Sequence, residues 1–204
     1  MTDALHEHYR ELYRIHGDAA QAVQHFDAVS QRNRFRILSE FAKELGSVVD
    51  VGCGLGHFYE YLLANGFADR YLGLDFVAEF VDHATRKHAG DDAVQFQNFD
   101  MRKDAYPQSY DTFVFCGVFN NKLSDGETFL KNSLAKAFAA ARKGVAFSAL
   151  STYVDYQDGK LSYVDPLKIF DFCKTELSGR VVLRHDYLVR VDRPPYEFTV
   201  YVYK

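Results

Sequence analysis

Val48-Val49-Asp50-Val51-Gly52-Cys53-Gly54-Leu55-Gly56 decides the fold of this chain. A short β-branched run carries a carboxylate two residues ahead of a glycine, and two further glycines follow at alternate positions. Glycines where a strand runs into a helix allow a tight left-handed turn and a close approach of ligand to main chain. The free N–H groups at the start of the following helix then face that ligand. The dinucleotide fingerprint G-x-G-x-x-G would need a glycine at position 57, where this chain has His57. A P-loop is excluded, because no Gly-Lys-Ser/Thr follows.

On the amino-terminal side, residues 31–45 place Phe35, Leu38, Phe41, Ala42 and Leu45 at three- and four-residue steps, and Gly46 supplies a stop. Residues 1–45 therefore read as a helical cap on a core of residues 46–204, the whole forming one domain, as a length of 204 residues suits. On the carboxyl-terminal side helix and strand alternate. Residues 58–64 read as a helix, 71–75 as a strand, 77–88 as a helix, and 94–96 and 112–116 as strands. Ser124-Asp125-Gly126-Glu127 reads as a capping box opening the next helix, and 145–150 as the strand after it. Asp165-Pro166 supplies an N-cap with proline in the first turn of a helix over 167–177. Residues 180–184 and 197–203 finish as strands joined by about a dozen residues, a link short enough for an antiparallel pair. The pattern predicts an α/β fold: a mostly parallel seven-stranded sheet with an antiparallel last strand and helices on both faces.

The second strand ends in Asp75, beside the glycine turn in such a sheet. There a carboxylate can accept both hydrogen bonds of a ribose diol, or it can simply cap the helix that follows. At this point residues 48–116 resemble the class I S-adenosylmethionine-dependent methyltransferases, whose first motif is D-x-G-x-G-x-G and whose sheet is Rossmann-like. The resemblance implies S-adenosylmethionine as cofactor and S-adenosylhomocysteine as product. It implies that Asp50, Gly52, Cys53, Gly54 and Gly56 form the loop around the methionine part, and that Asp75 holds the ribose. It implies further that Phe76 packs on the adenine, that Asp100 with Met101 meets its amine, and that Cys116 and Gly117 flank the cofactor. Phe76 reads equally as core.

The chain also resembles a group of bacterial small-molecule methyltransferases of unsettled substrate. Its marks are Ser30-Gln31-x-x-Arg34-Phe35, Cys116-Gly117-Val118-Phe119-Asn120, His185-Asp186-Tyr187 and Tyr196-Glu197-Phe198-Thr199. An acidic residue often follows the glycine loop in that group, and His57 departs from it.

Methyl transfer from a sulfonium is an in-line displacement, helped by alignment and, for some acceptors, by a base. The carboxyl edge of the sheet nominates Asn120, Tyr153 and His185 as catalytic residues, with His185 the candidate base or else a structural histidine. Gln31 and Arg34 reach toward the cofactor's carboxylate, unless Arg34 is a solvated helix charge. Phe119 and Tyr196 are pocket candidates, and Arg193-Pro194-Pro195-Tyr196 reads as a rigid turn rather than a base-gripping motif.

Composition bounds the rest. The formal net charge is −4 with no block of like charges, so nucleic acid is disfavoured as a partner. Cys53, Cys116 and Cys173 form no C-x-x-C pair and the eight histidines lack ligand spacing, so no metal is expected. With no leader-like start and no membrane-length apolar run, a cytoplasmic location without membrane contact is expected. The leading expectation is O- or N-methylation of a small polar metabolite. The alternatives are methylation of RNA or protein, a cofactor-binding protein without catalysis, and a nicotinamide dehydrogenase, the last disfavoured by His57. The oligomeric state stays open.

Overall fold

The computed structural model describes residues 3–204, so the first two residues of the expected cap lie outside the described residues. β1 (Val48–Val51) is buried at every position, as a strand covered on both faces must be. With β2 (Tyr71–Asp75), β3 (Val94–Asn98), β4 (Thr112–Phe115), β5 (Gly144–Leu150), β6 (Val181–Arg184) and β7 (Glu197–Tyr203) it forms one sheet in the order β3-β2-β1-β4-β5-β7-β6. The first five strands pair in parallel, and β7 runs antiparallel to both β5 and β6. Strand order reverses direction between β1 and β4, which opens a crevice at their carboxyl ends. Position two of the register pairs Val49 with Leu72 and Phe113, leaving Asp50 opposite Gly73 and Val114 near that crevice.

The period-two alternation of the strands sorts the core into two layers. Val49, Val51, Phe113, Phe115, Val145, Phe147, Val200 and Val202 face α5 (Gly126–Ala140) and α6 (Pro166–Phe172). Val48, Val114, Ala146 and Tyr201 face α2 (Ala28–Ser39) and α3 (His57–Ala64). α1 (Asp3–His16), a 3-10 turn (Ala20–Val23) and α4 (Ala78–Lys87) close the edge above the crevice. Among the described residues no helix is long and apolar enough to cross a membrane, and no cluster of three metal-ligating side chains occurs.

Two local expectations change. The helix expected over 31–45 begins at Ala28 and stops at Ser39. A capping box sets its start: Asp27 Oδ1 accepts from Ser30 N–H at 2.7 Å, and Ser30 Oγ accepts from Asp27 N–H at 3.2 Å. Tertiary hydrogen bonds set its end. The Tyr201 hydroxyl takes the Ile37 carbonyl, the Tyr203 hydroxyl takes the Phe41 carbonyl at 3.0 Å, and Phe41 stacks on Tyr203. The Phe41 carbonyl is met by β7 instead of by another helical turn, and the Ile37 carbonyl is shared between Tyr201 and Glu40 N–H at 3.1 Å. The capping box expected at Ser124 is also absent. Asp125 occupies the N-cap with no capping bond, and its carboxylate is gripped by both terminal nitrogens of Arg102 at 2.8 and 2.9 Å. Asp165 caps α6 as its sequence suggests, accepting from Leu167 and Lys168 N–H.

The start of β5 lies close against the end of β7. Gly144 has φ +148°, and a Cβ there would lie 2.0 Å from the Val202 carbonyl oxygen. Gly144→Ala is expected to lower stability by about 2 kcal/mol or more, from backbone strain plus the displaced strand. Urea unfolding followed by circular dichroism measures it, and an unchanged midpoint would contradict this packing.

Candidate active site

The glycine turn is held from beneath by β2. Gly52 and Cys53 N–H both donate to the Leu74 carbonyl, at 2.7 and 3.1 Å. Gly54 N–H donates to Asp75 Oδ2 at 2.8 Å, and Val77 N–H donates to Asp75 Oδ1 at 2.9 Å. Gly52 and Gly54 sit at φ +78° and +54°, where side chains are disfavoured. Added Cβ atoms would stand 2.6 Å from Val118 and 2.7 Å from Val23. Asp75 does not cap α4, whose N-cap is Val77 without a side-chain capping bond; it closes a tight turn onto Val77 N–H just ahead of that helix. Each of its oxygens keeps a lone pair for a second donor, so this turn and diol binding are compatible.

Above the turn lies a cavity of about 540 Å³. Its floor follows the carboxyl ends of β2, β1, β4 and β5, through Asp75, Asp50, Cys116 and Leu150. Phe76, Phe99 and Met101 make one end apolar. Tyr196, Arg34, His25 and Phe26 bound the other. The roof is α1 and the 3-10 turn, through Leu5, His8, Tyr9, Leu12, Gln21, Val23 and Gln24.

α1 has no buried residue, yet it covers the cavity. Tyr9 sets its ring edge against Phe76 and Phe80, and its hydroxyl accepts from Asn121 Nδ2 at 2.8 Å. Tyr13 meets Phe80 edge-on and bonds His83 Nδ1 at 2.9 Å. Asp18, just beyond α1, meets His57 Nε2 at 2.9 Å, His83 Nε2 at 3.3 Å and Lys87 Nζ at 2.7 Å. Partial burial opposes ionisation of Asp18, but the Lys87 and His57 hydrogen bonds outweigh it and hold the carboxyl down at about 2. His57 therefore fastens the cap, through Asp18 on one ring nitrogen and Gln31 on the other at 3.1 Å.

Two carboxyls on the floor are pushed the opposite way. Burial raises Asp75 to about 6 despite the opposing backbone N–H bonds. Burial raises Asp50 to about 7, with the Tyr71 hydroxyl lowering it and Asp75 raising it further. Asp50 Oδ2 accepts from Tyr71, while its buried Oδ1 has no hydrogen-bond partner. An unsatisfied acceptor in the wall of a cavity calls for a donor from a ligand. The floor therefore suits a ligand with a planar ring at one end, a diol over Asp75 and a donor or positive group near Asp50.

Of the residues singled out from sequence, Gln31, Arg34, Asp50, Gly52, Cys53, Gly54, Asp75, Phe76, Met101, Cys116, Gly117 and Asn120 all line this cavity. Gly56, Asp100, Tyr153 and His185 do not. Gly56 is the N-cap of α3 and packs toward Phe96, shaping the turn from behind. Asp100 Oδ1 accepts from Arg102 N–H at 2.9 Å, below the wall that Phe99 and Met101 form. Tyr153 is 59% exposed. His185 follows β6, which the strand order puts at the sheet edge beyond β7, and its ring lies 6.1 Å from both Tyr153 and Phe198. Asp186 pairs with Arg184 at 2.8 Å instead of with His185. Phe119 is core, stacked on Phe115. Arg34 is neither solvated nor free: its Nε bonds both oxygens of buried Glu197, at 2.8 and 3.1 Å. The roof residues were not singled out from sequence, although Leu5, Tyr9 and Leu12 recur at helical spacing on an otherwise polar segment.

The raised carboxyls carry a pH signature. A carboxyl whose folded pKa exceeds its unfolded value binds more protons in the folded state, so stability falls as pH rises between the two. For Asp50 that window runs from the ordinary aspartate value of 3.8 to about 7. Asp50→Asn is expected to flatten the loss of stability between pH 4 and pH 8, read from urea midpoints across that range. A slope identical to wild type would contradict the environment described for Asp50.

Comparison with known proteins accords with this geometry. A methyltransferase-domain family model matches residues 48–144, from β1 to the first residue of β5. The Mycobacterium tuberculosis protein Rv1506c, whose name carries a provisional methyltransferase designation, is 34% identical over 164 residues, 78% of this chain and 93% of its own length. Magnesium protoporphyrin IX methyltransferase from Synechocystis PCC 6803, solved with S-adenosylhomocysteine, shares the fold at a TM-score of 0.66 and 14% identity, over 99% of this chain and 95% of its own. DhpI in complex with S-adenosylhomocysteine does so at 0.64 and 20% identity, over 96% and 93%. The chain belongs to the methyltransferases, and it has the fold of S-adenosylmethionine-dependent members of that class.

Proposed function

We propose that this enzyme methylates a small polar metabolite at oxygen or nitrogen. The observation that carries the reading is the closure of the cavity by the chain itself. α1 and the 3-10 turn roof one side. On the other, the segment around Leu161 is pinned to the loop after β4 by the Asn121–Leu161 bridge and by Lys122 N–H donating to the Lys160 carbonyl at 3.1 Å. A volume of about 540 Å³ has to hold donor and acceptor together. That is a space of ordinary small-molecule size.

In this reading the cofactor's adenosine lies against Phe76, Phe99 and Met101 with its diol on Asp75. Its methionine part lies along Gly52–Gly54 toward Asp50 and Gln31. The bound cofactor supplies an electrophilic methyl group on a positively charged sulfur. The chain's part is to present the acceptor in line and to exclude water. Asn120 is suited to the first task. Its Oδ1 accepts from Leu150 N–H at 3.2 Å, which fixes the amide and leaves Nδ2 as a donor at the cavity wall. His185, outside the wall, has no part in the transfer.

Transfer of labelled methyl from S-adenosylmethionine to a panel of small alcohols, phenols and amines tests this. Asn120→Ala is expected to lower kcat/KM about tenfold, the worth of one aligned hydrogen bond. His185→Ala is expected to stay within about twofold. Loss of activity in His185→Ala with Asn120→Ala unaffected would overturn the assignment, and transfer to RNA or protein alone would overturn the metabolite reading.

A further inference from the structure

The end of the cavity away from Phe76 and Met101 is built around a buried ion pair. Arg34 on α2 is 8% exposed and Glu197, at the start of β7, is fully buried, so each neutralises the other. Arg34 is also largely spent as a donor. Besides Glu197 it reaches the Ser30 carbonyl at 3.3 Å and His25 Nδ1 at 3.2 Å, both through Nη1. A guanidinium has no acceptor, so His25 Nδ1 must be the accepting nitrogen, and the ring proton sits on Nε2. Burial and the positive charge of Arg34 keep this imidazole neutral, holding its pKa well below the usual value. Among the described residues Nε2 has no hydrogen-bond partner, and His25 lines the cavity.

The rest of that end adds no unbalanced cation. Burial pushes the Cys116 thiol and the Tyr196 phenol upward, so both stay neutral. At the mouth, Arg190 lies over the Phe26 ring and is paired with Asp192 at 2.6 and 2.9 Å. Deeper in, Asp50 and Asp75 are acids. A carboxylate or phosphate entering here would be stripped of water with no unpaired cationic side chain among the described residues lining this end to meet it.

We propose that His25, fixed by Arg34 as the Nε2–H tautomer, is a specificity-determining hydrogen-bond donor to the methyl acceptor, and that the acceptor is uncharged where it enters the cavity. This rests on the small-metabolite reading and names its class: an alcohol, phenol or amide-bearing compound. His25 Nε2–H grips an oxygen of the acceptor other than the one methylated, since a donor on the attacking oxygen would oppose the reaction.

Two measurements test it on the intact protein. The first is ¹⁵N spectroscopy of the histidine rings with S-adenosylhomocysteine bound, assigned by difference from His25→Gln. A pyridine-type Nδ1 and pyrrole-type Nε2 unchanged from pH 5 to pH 8 are expected; an imidazolium in that range, or the opposite tautomer, overturns the proposal. The second is labelled methyl transfer to matched probes: methyl glucoside, glucuronate and glucose 6-phosphate, and catechol beside protocatechuate. Transfer confined to uncharged members is expected. His25→Ala should raise KM about tenfold with S-adenosylhomocysteine affinity unchanged, and His25→Gln, which keeps an N–H donor, should restore most of it. Transfer to the anionic members, or a KM indifferent to His25→Ala, overturns the proposal. Transfer to none of them by protein that binds S-adenosylhomocysteine contradicts the small-metabolite reading itself, a failure distinct from that of His25.

Discussion

One buried carboxylate organises the site. Asp75 closes β2, reaches back to Gly54 N–H in the glycine turn and forward to Val77 N–H at the head of α4. Three elements that share no sequence are thereby locked in one geometry. Burial alone would favour the neutral acid, and the backbone N–H groups oppose that shift. Gly52 and Gly54 adopt left-handed conformations that only glycine takes readily, and Val118 and Val23 pack closely on them.

The cap stands in contrast. α1 buries no residue and is held by ring edges, exposed ion pairs and the Asp18 contacts with His57, His83 and Lys87. Such contacts are individually weak, and segments of this kind open more readily than a core. A roof that lifts while the floor stays rigid suits an enzyme that must admit a cofactor, exclude water and then release product. α2 belongs to the floor: Phe35 and Leu38 are core, and Arg34 and Asn33 tie it to Glu197 and to the Val189 carbonyl.

What was legible in the sequence follows from what is local. The glycine turn, the carboxylate closing β2, the strand periods and the proline-started α6 are set by neighbours in the chain, and they emerge where the pattern puts them. What was not legible depends on contacts between distant residues. The early end of α2 needs Tyr201 and Tyr203, over 160 positions away. The distance of His185 from the crevice needs β7 to insert between β5 and β6, an ordering that no single segment encodes. Arg34 on a helix reads as a surface charge until Glu197 is placed beside it. The amino-terminal helices read as a cap, but which residues of α1 face the ligand was not legible: Leu5, Tyr9, Leu12 and Tyr13 recur at helical spacing, and only the folded crevice shows what that face covers.

Asp75 holds the turn, and we propose that the same carboxylate holds the cofactor. Calorimetric titration with S-adenosylhomocysteine, comparing wild type, Asp75→Asn and Asp75→Ala, with NADH as control ligand, tests it most directly. Wild type is expected to bind without any response to NADH, Asp75→Asn to lose affinity by at least about tenfold, and Asp75→Ala not to bind at all. Wild-type affinity retained in both variants, or binding of NADH in place of S-adenosylhomocysteine, would contradict it.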